Sequence, residues 1–182
     1  MSFVQGVRLA SPSDGLALSA IYAPIVETTA TSFETAVPDA EEMARRVSDT
    51  LKTHPWLVCE DEIGVAGYAY GCEHRSRSAY RWSCDVSVYV DARARGMGIG
   101  RRLYGALLPL LKRQGFVRAH AGIVLPNEAS VALHEASGFG PVGVYQNVGF
   151  KFGCWHNVGW WAMTLNGPEE NPREPIPWAE FL

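Results

Sequence analysis

The sequence predicts an α/β domain of roughly seven strands and about four helices, packed as a sandwich on one mixed sheet. Three observations predict it. The chain has 182 residues and is 47% hydrophobic, enough for one packed core and too short for two comfortable domains. Strand-like runs occur both in direct succession and interleaved with helical ones, which suits a mixed sheet. Residues 85–114, DVSVYVDARARGMGIGRRLYGALLPLLKRQ, read as strand, glycine turn and helix in immediate succession.

In chain order, Val4–Leu9 reads as a first strand. Ser11-Pro12-Ser13-Asp14 is a helix start, with Ser11 at the N-cap, Pro12 at the first helical position and Asp14 three after the cap. That helix is expected to run to about Pro24. Residues 27–35, ETTATSFET, are polar and β-branched, a loop over the site. Phe33 within it either lines a pocket or plugs the core. Asp39 and Glu42 form a second capping box, and Met43, Val47 and Leu51 mark one helical face that ends near His54-Pro55. Trp56–Glu60 and Gly64–Gly71 are two strands of a hairpin turning at Asp61-Glu62.

A short basic loop, Arg75–Arg81, leads into the central strand. Val86–Val90 are β-branched and aromatic, and Leu103, Ala106, Leu107, Leu110 and Leu111 recur at helical spacing after the glycines. Val117–Leu125 is a further strand. Asn127 caps a helix carrying Val131, Leu133 and Ala136, which stops at Gly138. Val142–Tyr145 and Val158–Leu165 are the last strands, with an aromatic and polar connection, Gly149–Asn157, between them. Residues 1–166 thus form one domain. Residues 167–182 contain four prolines and are expected to lie extended on the surface.

Charge and cysteine usage narrow the function. A net charge of −3 gives no broad basic field, so a nucleic-acid partner is not expected. The basic residues Arg93, Arg95, Arg101 and Arg102 instead cluster around the glycine turn, which suits a small phosphorylated ligand. Cys59, Cys72, Cys84 and Cys154 form no CxxC pair and no His cluster has zinc spacing, so no metal site is expected. There is no signal-like start and no bilayer-length apolar run. The expectation is a soluble cytoplasmic protein without a membrane partner.

The glycine turn decides between phosphate sites. A Walker loop requires Lys-Ser or Lys-Thr after the last glycine, where Arg101-Arg102 stands. The dinucleotide fingerprint requires glycines at offsets 0, 2 and 5, which neither Gly96 nor Gly98 satisfies. Arg95-x-x-Gly98-x-Gly100 remains, alongside the plain alternative of a turn that needs glycine only for its backbone angles.

That pattern resembles the pyrophosphate loop of the GNAT superfamily of N-acetyltransferases. Asn127-x-x-Ser130-x-x-x-His134-x-x-x-Gly138-Phe139 resembles the superfamily's second acetyl-CoA motif, usually written with Tyr where His134 stands. The segments RSAY (77–80), SVYV (87–90), LPN (125–127), LHEASGF (133–139) and GFKFGCWHNVGWW (149–161) are similar to the phosphinothricin and methionine sulfoximine N-acetyltransferases. The resemblance spans about Val4 to Leu165. It implies a GNAT-type mixed, mostly antiparallel sheet, acetyl-CoA as donor, a small amino acid analogue as acceptor, and often a homodimer.

The chemistry then assigns candidates. The loop Arg95, Gly96, Met97, Gly98, Ile99 and Gly100, with Arg101 and Arg102 adding charge, would supply N–H donors to the pyrophosphate. The main chain of Ser87, Val88, Tyr89 and Val90 would pair with the amide-like pantetheine arm, and Asn127 completes the cofactor set. A backbone N–H near Val88 is the expected donor to the thioester oxygen. Asp85 stands where the resembled branch carries Glu and is the expected general base, direct or through a water. His134 is its partner, or the acid for the thiolate. Arg77, and secondly Arg75, would bind the acceptor carboxylate or its tetrahedral side-chain group. Phe33 and Trp155 would line the side-chain pocket, with Lys151, His156 and Asn157 as polar contacts. Two other functions stay open at this level: acetyl transfer to another amine or a peptide N-terminus, and a non-catalytic CoA-binding module.

Overall fold

The structure, a computed structural model, describes residues 6–181. Its strands are β1 (Val7–Leu9), β2 (Trp56–Asp61), β3 (Gly64–Glu73), β4 (Ser83–Val90), β5 (Arg118–Leu125), β6 (Gly140–Lys151) and β7 (Cys154–Thr164). Its helices are α1 (Gly15–Thr28), α2 (Ala40–Thr50), α3 (Ile99–Gln114), α4 (Glu128–Ala136) and the short α5 (Trp178–Phe181). The described part of the first strand is shorter than expected, and Val4 and Gln5 lie outside the described residues.

The seven strands form one sheet in the order β1-β2-β3-β4-β5-β7-β6. All neighbours run antiparallel except β4 and β5, which are parallel. That parallel pair is in register only at Ser83–Arg118, Cys84–Ala119 and Asp85–His120. Both strands continue for five more residues without pairing, so the sheet opens in its middle just past Asp85 and His120.

Period-two alternation gives the sheet two apolar faces. Leu57, Cys59, Ala69, Cys84, Val86, Ala119, Ala121 and Ile123 share one core with Leu103, Leu107, Leu110 and Leu111 of α3. Trp56, Val58 and Tyr68 face the other way, against Leu18 and Ile21 of α1 and Met43 and Val47 of α2. Asp85 and Ser87 follow the α1–α2 parity, so the polar positions of β4 share a face with its aromatic neighbour Tyr89. Asp39 caps α2 by accepting from the Glu42 N–H at 2.8 Å, and Asn127 caps α4 by accepting from the Ser130 N–H at 3.1 Å, as the sequence patterns predict.

Three expectations change. A 3₁₀ turn at Pro12–Asp14 precedes α1, and α1 continues past Pro24 to Thr28. A helical proline loses its own N–H bond, but here Ile25 and Val26 are buried on the following turn against Val37 and Tyr89. The Gly149–Asn157 connection is not a loop: β6 and β7 run on as a long hairpin that turns at Phe152-Gly153, both at positive φ (52° and 75°). The proline-rich tail is not confined to the surface. Gln114 fastens it through its N–H₂ to the Ile176 carbonyl at 2.7 Å, and Trp178 is 1% exposed within the α3 core.

Candidate active site

The phosphate-type loop is built by backbone geometry. Gly98 is the N-cap of α3 at φ 76°, a left-handed conformation that a Cβ disfavours, and no side chain caps the helix there. Arg102 N–H bonds Gly98 C=O at 3.0 Å and closes the first turn. The N–H groups ahead of it, on Ile99, Gly100 and Arg101, therefore face outward at the positive end of a sixteen-residue helix. Gly100 serves packing: a Cβ there would stand 2.8 Å from Leu133 Cδ2 of α4.

A groove of ≈ 440 Å³ runs from this loop along β4. Arg95, Gly96, Gly98 and Arg101 line one end, Val88 and Val90 its floor, and Asn127 and Ser130 its far wall. A smaller cleft between Ser87–Tyr89 of β4 and Gly122–Val124 of β5 continues it into the opened sheet. The direction of the β4 backbone follows from the β3 ladder. Asp91 N–H donates to Ala66 C=O at 2.9 Å, in line with the Tyr68–Tyr89 and Tyr70–Ser87 pairs. Antiparallel ladders alternate, so these are the bonded pairs. The N–H and C=O of Val88 and Val90 accordingly point away from β3, into the gap. This is an open strand edge inside a sheet, able to pair with an extended, amide-bearing ligand. The donor set fits the phosphates and pantetheine amides of a coenzyme A thioester.

Asp85 lies where the gap begins, but its partner is not the expected one. Asp85 Oδ1 accepts from His74 Nδ1 at 2.6 Å. The His74 ring is stacked on His120 at 4.3 Å and 15°, with Trp160 and Tyr80 edge-on to it. Burial pushes the Asp85 carboxyl above the ordinary aspartate value, against the downward pull of His74 and then Arg75. Burial also pushes His120 down to about 4, helped by His74, Arg118 and Arg75. His120 therefore stays neutral near pH 7.

His134 is a different kind of residue from the one expected. It is 3% exposed, Nδ1 lies 2.7 Å from the Ser130 carbonyl, and Nε2 lies 2.8 Å from the Tyr104 hydroxyl. Nδ1 must carry the proton to donate to a carbonyl, so Nε2 accepts from Tyr104. Burial lowers its pKa, which favours this neutral form. His134 lines the cleft but has neither Asp85 as partner nor a spare proton for a thiolate.

Several other expected residues are placed elsewhere. Met97 does not serve the loop: its N–H bonds Ala94 C=O at 3.3 Å and its side chain is exposed. Arg93 turns away to Asp61 at 2.5 Å. Arg77 is exposed and joins no hydrogen bond of the Asp85 cluster, whereas Arg75 extends over the Trp160 ring at 5.5 Å. Lys151 is no free polar contact. It is 6% exposed, and its ammonium donates to the carbonyls of Val26 and Ser32, tying the 29–35 loop to β6. Phe33 packs on Gly149 and near His156. His156 and Asn157 bond within the hairpin, to Lys151 C=O and Asn147 N–H. Trp155 is exposed beside Phe150, 5.3 Å away, on the hairpin surface rather than in a pocket. The sequence reading missed His74 and His120. They lie 46 residues apart and only the β3–β4–β5 register joins them, so no spacing announces the pair.

Comparison with known proteins bears on this arrangement. The family described as acetyltransferase (GNAT) domain matches residues 7–160. A phosphinothricin N-acetyltransferase of Streptomyces viridochromogenes is 36% identical over 170 residues, 93% of this chain and 92% of its own. An L-methionine sulfoximine/L-methionine sulfone acetyltransferase of Salmonella typhimurium is 32% identical, covering 88% and 94% of the two chains. The crystal structure of a GNAT superfamily phosphinothricin acetyltransferase from Sinorhizobium meliloti in complex with AcCoA superposes with a TM-score of 0.86 at 32% identity, over 94% of this chain and 97% of that one.

Proposed function

The chain belongs to the GNAT acetyltransferase family, and on that premise we propose that it transfers the acetyl group of acetyl-CoA to the α-amino group of a small amino acid analogue. Phosphinothricin, methionine sulfoximine and methionine sulfone, the substrates named for the relatives, are the acceptors to test. One observation carries the reading: a capless helix start and an open β4 edge line one groove, and the Asp85–His74 pair stands on the same strand where it parts from β5.

Acetyl-CoA supplies the activated acetyl group. The N–H groups at the start of α3, with Arg95 and Arg101, hold its pyrophosphate, and Val88 and Val90 hold the pantetheine arm as an added strand. The Val88 N–H, which faces the gap, would donate to the thioester oxygen, a role worth ~2.7–4 kcal/mol when such a donor is lost. The Arg75 guanidinium lies over the Trp160 ring at 5.5 Å, with one nitrogen donating to the His74 carbonyl, and its remaining N–H groups are donors for the acceptor carboxylate. The Asp85–His74 pair receives the ammonium proton. The hydrogen-bonding of His134 keeps α4 closed on Tyr104 and shapes the cleft wall.

A second copy of the chain covers the outer hairpin strand in this reading. β6 is the sheet edge, twelve residues long, and Val142, Val144, Tyr145, Val148 and Phe150 are exposed along it with Trp155 beside them. A long apolar edge is an aggregation site unless paired. A two-fold contact satisfies both strands with one surface. Light scattering on the Val144→Lys, Phe150→Glu double variant would show a monomer where the parent chain is a dimer; a monomeric parent would remove this part. Four unpaired cysteines fit a reducing cytoplasm. Among the described residues no helix is long and apolar enough to cross a membrane.

Free thiol release with acetyl-CoA and the three acceptors tests the function. Acceptor-dependent release of CoA is expected. Release with peptides or other amines, but not with amino acids, would overturn the acceptor assignment.

A further inference from the structure

We propose that the base that deprotonates the acceptor is Nε2 of His74, with Asp85 holding the imidazole and His120 fixing its plane. The inference rests on the acetyl-transfer reading above and assigns the proton step within it.

The geometry begins with the short hydrogen bond between Asp85 Oδ1 and His74 Nδ1, 2.6 Å. A carboxylate has no proton to give, so Nδ1 is the donor, and the lone pair available for a base is the one on Nε2. Nε2 has no hydrogen-bond partner among the described residues. The ring is held by three neighbours: His120 lies parallel beneath it, and Trp160 and Tyr80 stand edge-on. The groups facing it are Asp85 from β4, His120 and more distantly Arg118 from β5, Tyr80 and Arg75 from the loop before β4, and the uncharged Trp160 from β7. The stacked His120 stays neutral and adds no charge against an imidazolium. Among the described residues the single anion in contact is Asp85, which stabilises that imidazolium.

Asp85 is poorly placed to act alone. The Oδ1 that accepts from His74 is already committed to that bond. His74 is 13% exposed, buried enough to be held and open enough to pass a proton to water. The cation over Trp160, Arg75, comes from the residue next to His74.

The balance is as follows. The N–H bond of the ammonium breaks and its proton goes to His74 Nε2, giving imidazolium paired with the Asp85 carboxylate. The free amine pair forms the N–C bond to the acetyl carbon, and the C–S bond breaks with its electrons on sulfur. The nitrogen sheds its second proton, the CoA thiolate gains one, and His74 returns its proton to water. The net products are the amide, CoA thiol and one proton.

His74→Gln and Asp85→Asn test this against a direct role for Asp85. His74→Gln is expected to lower kcat/KM for the acceptor by ~10²–10⁴-fold near pH 7, with acetyl-CoA affinity unchanged. Its rate should climb about tenfold per pH unit toward the acceptor's own amine pKa, where free amine replaces the base, while the parent enzyme levels off earlier. Asp85→Asn should show the smaller loss and His120→Phe only a few-fold change. Near-parent activity and profile in His74→Gln, with Asp85→Asn inactive, would overturn the proposal. A turnover-independent measurement separates it from the choice of acceptor. Nitrogen-15 imidazole spectra should show His74 as the Nδ1–H tautomer. The Nε2–H tautomer would refute the proposal even if acetyl transfer is confirmed, and the Nδ1–H tautomer would sustain it even if these acceptors fail.

Discussion

Lys151→Met tests what the ammonium at the end of β6 does. Its Nζ donates to Val26 C=O at 2.7 Å and to Ser32 C=O at 2.8 Å, in a site where the residue is 6% exposed. Methionine retains most of the stem volume, so little cavity opens. Two buried carbonyls would lose their donor, at ~1–3 kcal/mol each. Relief of the ammonium's desolvation, visible in its lowered pKa, offsets part of that. The net loss is about 2–4 kcal/mol, which at this chain length lowers Tm by roughly 5–15 °C. Calorimetry gives the shift, and hydrogen exchange should show faster exchange confined to residues 29–35 and their contacts. A Tm within about 1 °C of the parent, together with a raised acceptor KM, would refute the structural role and make Lys151 a substrate contact.

Three further outcomes follow from separate parts of the molecule. Gly98→Ala meets no atom within 4 Å but stays at φ 76°, so it should cost ~1–2 kcal/mol of strain and, if the loop relaxes, raise the acetyl-CoA KM; an unchanged KM and stability would show the loop is not held at that angle. The Arg8 guanidinium, and then the Ser11 N–H, hold the Asp14 carboxyl below its ordinary value. Its contribution is complete above the unfolded pKa and lost as pH falls through the lower folded one, so urea titrations of Asp14→Asn should show a shallower acid loss below about pH 4 than the parent. Trp178→Ala should cost about 3–5 kcal/mol by denaturant melts, because the ring is buried in the α3 core; a loss below ~1 kcal/mol would return the tail to the surface.

Local chemistry made much of the molecule legible. Asp39, Asn127 and Gly138 end or begin helices through interactions with residues at most a few positions away, so the helix boundaries there needed no tertiary knowledge. The glycine loop is equally local: Gly98 has the angle its pattern implies, and the following helix has the apolar stripe that fills the core. The alternation along β4 separated its polar from its apolar face, and Asp85 stood at the polar end. Where the reading failed, the deciding partner was distant. Pro24 looked like a stop because proline removes a backbone donor, but burial of Ile25 and Val26 kept the helix going. Lys151 looked like a free cation on an aromatic stretch, and only the arrival of Val26 and Ser32, 125 and 119 residues away, makes it a staple.

The sequence by itself determined the mixed sheet, the glycine loop with its capless helix start and the strand that precedes it, because helix caps, glycine angles and side-chain periodicity are set within a few residues. The tertiary structure decided which groups meet at the reacting end. β4 and β5 part after Asp85 and His120, which exposes the Val88 and Val90 amides, and the β3–β4–β5 register sets His74 on His120 and against Asp85. Strand order and register are properties of the whole sheet, so no spacing in the chain could have replaced His134 with His74 as the partner of Asp85.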